Sequence, residues 1–144
     1  MYVCRGTSFA PLALVTRRIL IVEDEAVLRK HLARLFVREG YEVATAGSRA
    51  EALDQLGRGP FEALLLDVML PDGDGLELLA ELGEQQPRQT VVMTAFSTPE
   101  NERRAHQLNV CHLLRKPLDL LQLIGAVRVV NGNLGDLAIG DVAK

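Results

Sequence analysis

A chain of 144 residues, 48% apolar and 24% charged, has the size of one domain and enough apolar mass for a sizeable core. Its net charge of −3 gives no basic footprint for nucleic acid, and no apolar run reaches the length of a membrane span. Its two cysteines, Cys4 and Cys111, lie far apart without metal-ligand spacing. Neither a disulfide framework nor a zinc site is implied, which suits a reducing cytosol.

Residues 1–16 show no clear period and read as a poorly ordered N-terminal extension. The apolar stretch Phe9 to Val15 is short and broken by Pro11. It runs into Arg17-Arg18 rather than a small-residue cleavage site, so it makes a poor signal peptide. Ile19-Leu20-Ile21-Val22 is a β-branched apolar run and predicts a first buried strand over Arg18 to Val22. It stops at Glu23-Asp24-Glu25. Adjacent carboxylates repel one another unless a cation or solvent screens them. They would equally suit the positive end of a following helix.

That helix is expected over Ala26 to Glu39, with Leu28, Leu32, Leu35 and Phe36 on one face. Gly40 is a good stop. Tyr41 to Ala46 alternates and predicts a second strand nearer an edge. Ser48 and Glu51 form a capping box for a short helix to Leu56. The third strand, Phe61 to Asp67, is an apolar run ending in a carboxylate. Pro71-Asp72-Gly73-Asp74-Gly75 follows almost at once. A short apolar run bounded by turn residues reads as a strand buried on both faces. Its carboxyl end is the edge where ligands collect in open parallel sheets, although an Asp there also starts an ordinary turn.

Asp74 with Glu77 predicts a cap for a helix to about Glu84, with Leu76, Leu79 and Ala80 inward. Thr90 to Thr94 is a fourth buried strand. Thr98 as cap and Pro99 at the first helical position open the next helix. That helix is polar nearly all round, with Ala105 and Leu108 its apolar anchors, and is expected to pack lightly. Val110 to Leu114 gives a fifth strand, ending in Arg115-Lys116-Pro117. Asp119 and Gln122 cap a last helix to about Val130. Residues 131–144 are rich in Gly and Asn, too short for an output domain, and read as a tail. A strand–helix alternation repeated five times implies a parallel sheet with helices on both faces.

All four central strand ends then point the same way, bringing Glu23-Asp24, Asp67, Thr94 and Lys116 to one edge. Clustered carboxylates suit Mg²⁺, which takes oxygen ligands octahedrally and often binds a phosphate. A carboxylate can be a phosphoryl nucleophile. A lysine supplies a point charge for a phosphoryl oxygen, and a threonine supplies a hydroxyl.

At these residues the chain resembles the receiver domain of bacterial two-component response regulators. The matching motifs are Ile19 to Glu25, Leu66-Asp67 to Gly75, Val92-Met93-Thr94-Ala95 and Lys116-Pro117, and the resemblance spans roughly Arg17 to Val130. It implies a flavodoxin-like doubly wound α/β fold with five parallel strands in the order 2-1-3-4-5 and five helices. It implies Asp67 as the acceptor of a phosphoryl group from a sensor histidine kinase, with no enzymatic activity beyond self-phosphorylation and self-dephosphorylation. Asp24 would be a direct Mg²⁺ ligand and Glu23 one acting through water. Asp67 and the Met69 backbone carbonyl would complete the protein ligands. Thr94 would be the switch hydroxyl, and Lys116 would pair with Asp67 and then with phosphate. Lys116-Pro117 would be the family's cis peptide bond.

Two positions depart from the family pattern. Leu113 stands where a Tyr or Phe normally couples the threonine to the surface, so it is either a modified switch or a plain strand residue. Cys111-His112 replaces an acidic pair, and His112 reads as a surface residue. The last helix carries Leu118, Leu120, Leu121, Leu123, Ile124, Ala126, Val127, Val129 and Val130 against few polar residues. A helix apolar on most of its circumference is normally covered on more than one side. A homodimer mate, a downstream protein partner or the chain's own tail is the expected cover. Met69 and Phe96, bulky and apolar, flank the expected route of hydrolytic water and imply slow self-dephosphorylation.

The functional expectation is a cytoplasmic, phosphorylation-controlled interaction module that binds neither nucleic acid nor membrane itself. Alternatives are the receiver part of a transcriptional regulator lacking its DNA-binding or ATPase output domain, and a phosphorelay intermediate. A phosphatase with an Asp nucleophile commonly places a second Asp where Met69 stands. A flavin carrier needs a hydroxyl- and Gly-rich loop where this chain has acids.

Overall fold

The computed structural model describes residues 17–128. The expected N-terminal extension, the tail, and Val129 and Val130 of the last helix lie outside the described residues. Five parallel strands form one sheet: β1 (Arg17–Val22), β2 (Tyr41–Ala46), β3 (Ala63–Asp67), β6 (Gln89–Thr94) and β7 (His112–Arg115). A two-residue antiparallel pair, β4 (Met69–Leu70) and β5 (Gly73–Asp74), makes a small hairpin in the loop after β3. The sheet order is β2-β1-β3-β6-β7, which is the expected 2-1-3-4-5 once the hairpin is set aside. The helices are α1 (Ala26–Arg38), α2 (Arg49–Gly57), α3 (Gly75–Leu82), α4 (Pro99–Gln107) and α5 (Leu120–Arg128).

The central strands are apolar on both faces because both faces are covered. Leu20, Val22, Leu64, Leu66 and Val92 pack against α2, α3 and α4. Ile19, Ile21, Leu65, Val91 and Met93 pack against Leu32 and Phe36 of α1 and Leu123, Ala126 and Val127 of α5. Alternation along each strand thus feeds two separate cores, and every strand's carboxyl end opens on one edge.

Local chemistry sets the helix ends. Ser48 Oγ accepts from Glu51 N at 3.1 Å. Glu51 Oε1 reaches back to Gly47 N, one residue before the cap, at 2.7 Å. Asp119 Oδ1 accepts from Leu121 N and Gln122 N. Thr98 Oγ1 accepts from Asn101 N, with Pro99 at the first helical position.

Several sequence expectations shift. The helix expected to Glu84 ends at Leu82, because Gly83 turns to φ +55° and a 3₁₀ turn follows. On α3 it is Leu78 that is buried with Leu76 and Leu79, while Ala80 is exposed. The fifth strand starts at His112 rather than Val110. Val110 N instead bonds Ala105 O to close the end of α4, after Asn109 adopts φ +62°. His112, expected on the surface, is half-buried. Leu108 packs against the core as expected, beside a buried Ala105. On α5, Leu120 and Leu121 project outward, Leu121 being 80% exposed.

Candidate phosphoacceptor site

The site is built from strand ends. Asp67 is the last residue of β3 and only 4% exposed. Both of its carboxylate oxygens are held: Oδ1 accepts from Met69 N at 3.0 Å and Oδ2 from Lys116 Nζ at 2.7 Å. Lys116 follows β7 and reaches inward, donating also to Glu23 Oε1 at 2.8 Å. Glu23, directly after β1, is 1% exposed, and its second oxygen accepts from Glu25 N at 3.0 Å. Asp24 beside it faces solvent. Carboxylate oxygens of Glu23, Asp24 and Asp67 all lie within 4.8 Å of one another. The Lys116–Pro117 peptide bond is cis.

The electrostatics follow from one ammonium serving two buried carboxylates. Burial pushes Glu23 above its ordinary value; the bonds from Lys116 and Glu25 N pull it down, and the nearby charge of Asp67 pushes it up again. For Lys116, burial favours the neutral amine, but bonds to Asp67 and Glu23 outweigh it and hold the ammonium above its ordinary value. The corner therefore holds more acid than its single lysine balances. An all-oxygen donor set with surplus negative charge fits a hard divalent cation.

Thr94 ends β6 at this edge and is 1% exposed. Its hydroxyl is turned into its own loop, donating to Phe96 O at 2.7 Å and accepting from Phe96 N at 3.0 Å. The side chains of Met69 and Phe96 are both exposed. Leu113 is half-buried on the face of α2, α3 and α4. It lines a groove of about 280 Å³ between α4 and β7, with Ala105, His106, Cys111 and Arg115. Among the described residues the acidic trio is the one group of metal-ligating type brought together, so neither Cys111 nor His112 belongs to such a cluster.

Three supporting residues had no role in the sequence reading. Arg29 Nη1 donates to the carbonyls of Glu23 at 2.8 Å and Asp24 at 3.3 Å and so holds the acidic loop. Gly75 opens α3 against the Asp67 backbone: a Cβ there would lie 2.3 Å from Asp67 O. Asp72, in the loop after β3, caps α2, taking Arg49 N at 2.7 Å and Ala50 N at 2.9 Å. Gly75 was readable as a turn residue, but not its close approach to Asp67. The other two depend on partners that spacing does not reveal.

Comparison with known proteins agrees with this geometry. Residues 19–128 match the model of the response regulator receiver domain family. The transcriptional regulatory protein PdtaR of Mycobacterium tuberculosis is 34% identical over 134 residues, 91% of this chain and 65% of PdtaR. The swarming motility regulation protein RssB of Serratia marcescens is 34% identical over 83% of this chain and 55% of RssB. The chain thus spans less than two thirds of the length of these relatives. A CheY-like receiver domain from Methanospirillum hungatei superposes with a TM-score of 0.75 at 27% identity, over 79% of this chain and 92% of that one. A Burkholderia pseudomallei response regulator with a phosphorylated aspartic acid, calcium ion and citrate gives 0.74 at 27% identity, over 87% and 72%. On the family match and on the sheet that carries the acidic corner, this chain belongs to the response regulator receiver domains, the signalling domains of two-component systems.

Proposed function

We propose that Asp67 accepts a phosphoryl group from a phosphohistidine on a sensor histidine kinase, and that the resulting acyl phosphate changes how the domain engages a protein partner. The observation that carries this reading is the buried Asp67 with Lys116 Nζ at 2.7 Å and the Glu23 and Asp24 carboxylates within 4.8 Å. A carboxylate oxygen of Asp67 attacks phosphorus. The new O–P bond forms as the P–N bond breaks, and the leaving imidazole keeps the bonding pair. Glu23, Asp24 and Asp67, with the Met69 carbonyl, would hold Mg²⁺, which neutralises charge on the transferring group. Lys116 places a cation beside the phosphoryl oxygens, and Met69 N is a ready donor to them. Thr94 would give up its bonds to Phe96 to reach the same group. The phosphorylated aspartic acid and calcium ion of the Burkholderia relative support this chemistry.

Beryllofluoride with Mg²⁺ tests the reading. It is expected to shift amide resonances of Met69 and Thr94 in the wild-type chain and to leave Asp67→Asn unchanged. Identical spectra with and without it would refute a phosphoacceptor. Because neither Met69 nor Phe96 has a group that orients water, the acyl phosphate is expected to persist; loss within seconds, without a phosphatase, would contradict that. The outward Leu120 and Leu121 favour a second copy or a downstream protein against α5. A chain that stays monomeric at high concentration and leaves both leucines exposed in every complex would rule this out. Action in the cytoplasm follows from a kinase partner of this kind.

A further inference from the structure

We propose that the ion pair between Asp74 and Arg104 is the coupling strut that carries a change at Asp67 to helix α4. This rests on Asp67 as phosphoacceptor and adds a route by which its modification reaches the surface. The route starts at the Asp67 peptide. Gly75 lies so close to it that a Cβ would meet Asp67 O at 2.3 Å and Asp67 C at 3.2 Å, and Gly75 N donates to Val68 O at 2.6 Å. The Asp74-Gly75 corner therefore has no slack against the strand end. Asp74 uses its two oxygens on different elements. Oδ1 caps α3 through Leu76 N at 2.7 Å, and Oδ2 accepts from Arg104 Nη1 of α4 at 2.9 Å. Both side chains are two-thirds buried, where a charge-assisted bond is screened less than at the surface.

Helix α4 is built to respond. Ala105 is its one buried residue. Among the described residues, Arg104–Asp74 is the one ion pair tying it to another element. The demand for movement arises at Asp67. Its Oδ1 and Oδ2 now accept from Met69 N and Lys116 Nζ, and esterifying one oxygen removes most of its accepting power. The Met69 N–H, which now serves Asp67 Oδ1, must then turn to a phosphoryl oxygen, and the chain between Val68 and Asp74 moves with it. The Thr94 hydroxyl bonds the backbone of Phe96, and Leu113 has no ring or hydroxyl with which to take up a change there. The strut supplies a direct polar connection to α4.

The test follows amide shifts of the labelled full chain on saturation with beryllofluoride and Mg²⁺, in wild type, Arg104→Gln and Asn101→Ala. Arg104 Nη1 also lies 3.4 Å from Asn101 Oδ1 within α4, so Asn101→Ala controls for that intrahelical contact. In wild type, shifts are expected at Met69, at Asp74 to Leu76 and along Arg103 to Gln107. In Arg104→Gln the Met69 and Thr94 shifts should persist while those of α4 fall by more than half; Asn101→Ala should match wild type. Equal α4 shifts in wild type and Arg104→Gln would overturn the strut, as would equal loss in Asn101→Ala. Absence of any shift at Met69 in wild type would instead strike the phosphoacceptor reading itself.

Discussion

At the scale of single residues, the site works by crowding opposite charges into a place where neither can be fully hydrated. Asp67, Glu23 and Lys116 were legible because each ends a recognisable strand, and parallel strands deliver their ends to one edge. What a side chain does once there was less legible. Thr94 lies where expected, yet its hydroxyl serves the backbone of Phe96, a local competitor that spacing cannot weigh. Gly75 was visible only as a turn residue; its tight approach to Asp67 O is a tertiary fact. Gly75→Ala should therefore do more than stiffen a turn. Moving backbone away from a Cβ costs about 1–3 kcal/mol, read as a lower midpoint in denaturant unfolding, and the shifted Asp67 should phosphorylate more slowly. Unchanged stability and rate would show that the corner has slack.

At the scale of elements, boundaries were readable where local chemistry sets them and missed where a distant partner does. Ser48, Thr98 and Asp119 cap the helices they were expected to cap. The hairpin of β4 and β5 was missed because two-residue strands carry no period. Asp72, within that hairpin's turn, caps α2 across 22 and 23 residues of sequence. Arg49 of α2 also pairs with Glu81 of α3. The N–H groups of Arg49 and Ala50 hold the Asp72 carboxylate below its ordinary range. A depressed folded-state value means its stabilisation is present above the unfolded carboxylate range and is lost as pH falls through the folded value. Asp72→Ala should accordingly lower the melting temperature at neutral pH, and the gap to wild type should close in strong acid. A gap of constant size across that range would show that charge at Asp72 is irrelevant to the cap.

At the scale of the whole molecule, two apolar cores clamp one sheet, and the acidic corner sits at its open edge. The alternation of strands and helices made that architecture legible. It did not reveal the ion pair that ties α4 to the cap of α3, since the pair joins residues 30 apart in sequence. Buried strands hold Asp67 while the most polar helix buries only Ala105, a division of labour suited to a signalling domain. Among the described residues no helix is long and apolar enough to cross a membrane, and Leu120 and Leu121 of α5 stand exposed on its outer side.

The most direct measurement is to treat the full chain with a small-molecule phosphoryl donor and Mg²⁺, reduce the acyl phosphate chemically, and locate the modified residue by mass spectrometry. We expect one phosphoryl group, on Asp67, formed only with the divalent cation and absent from Asp67→Asn. A phosphoryl group on another residue, or none at all under conditions that saturate the metal, would contradict the central claim.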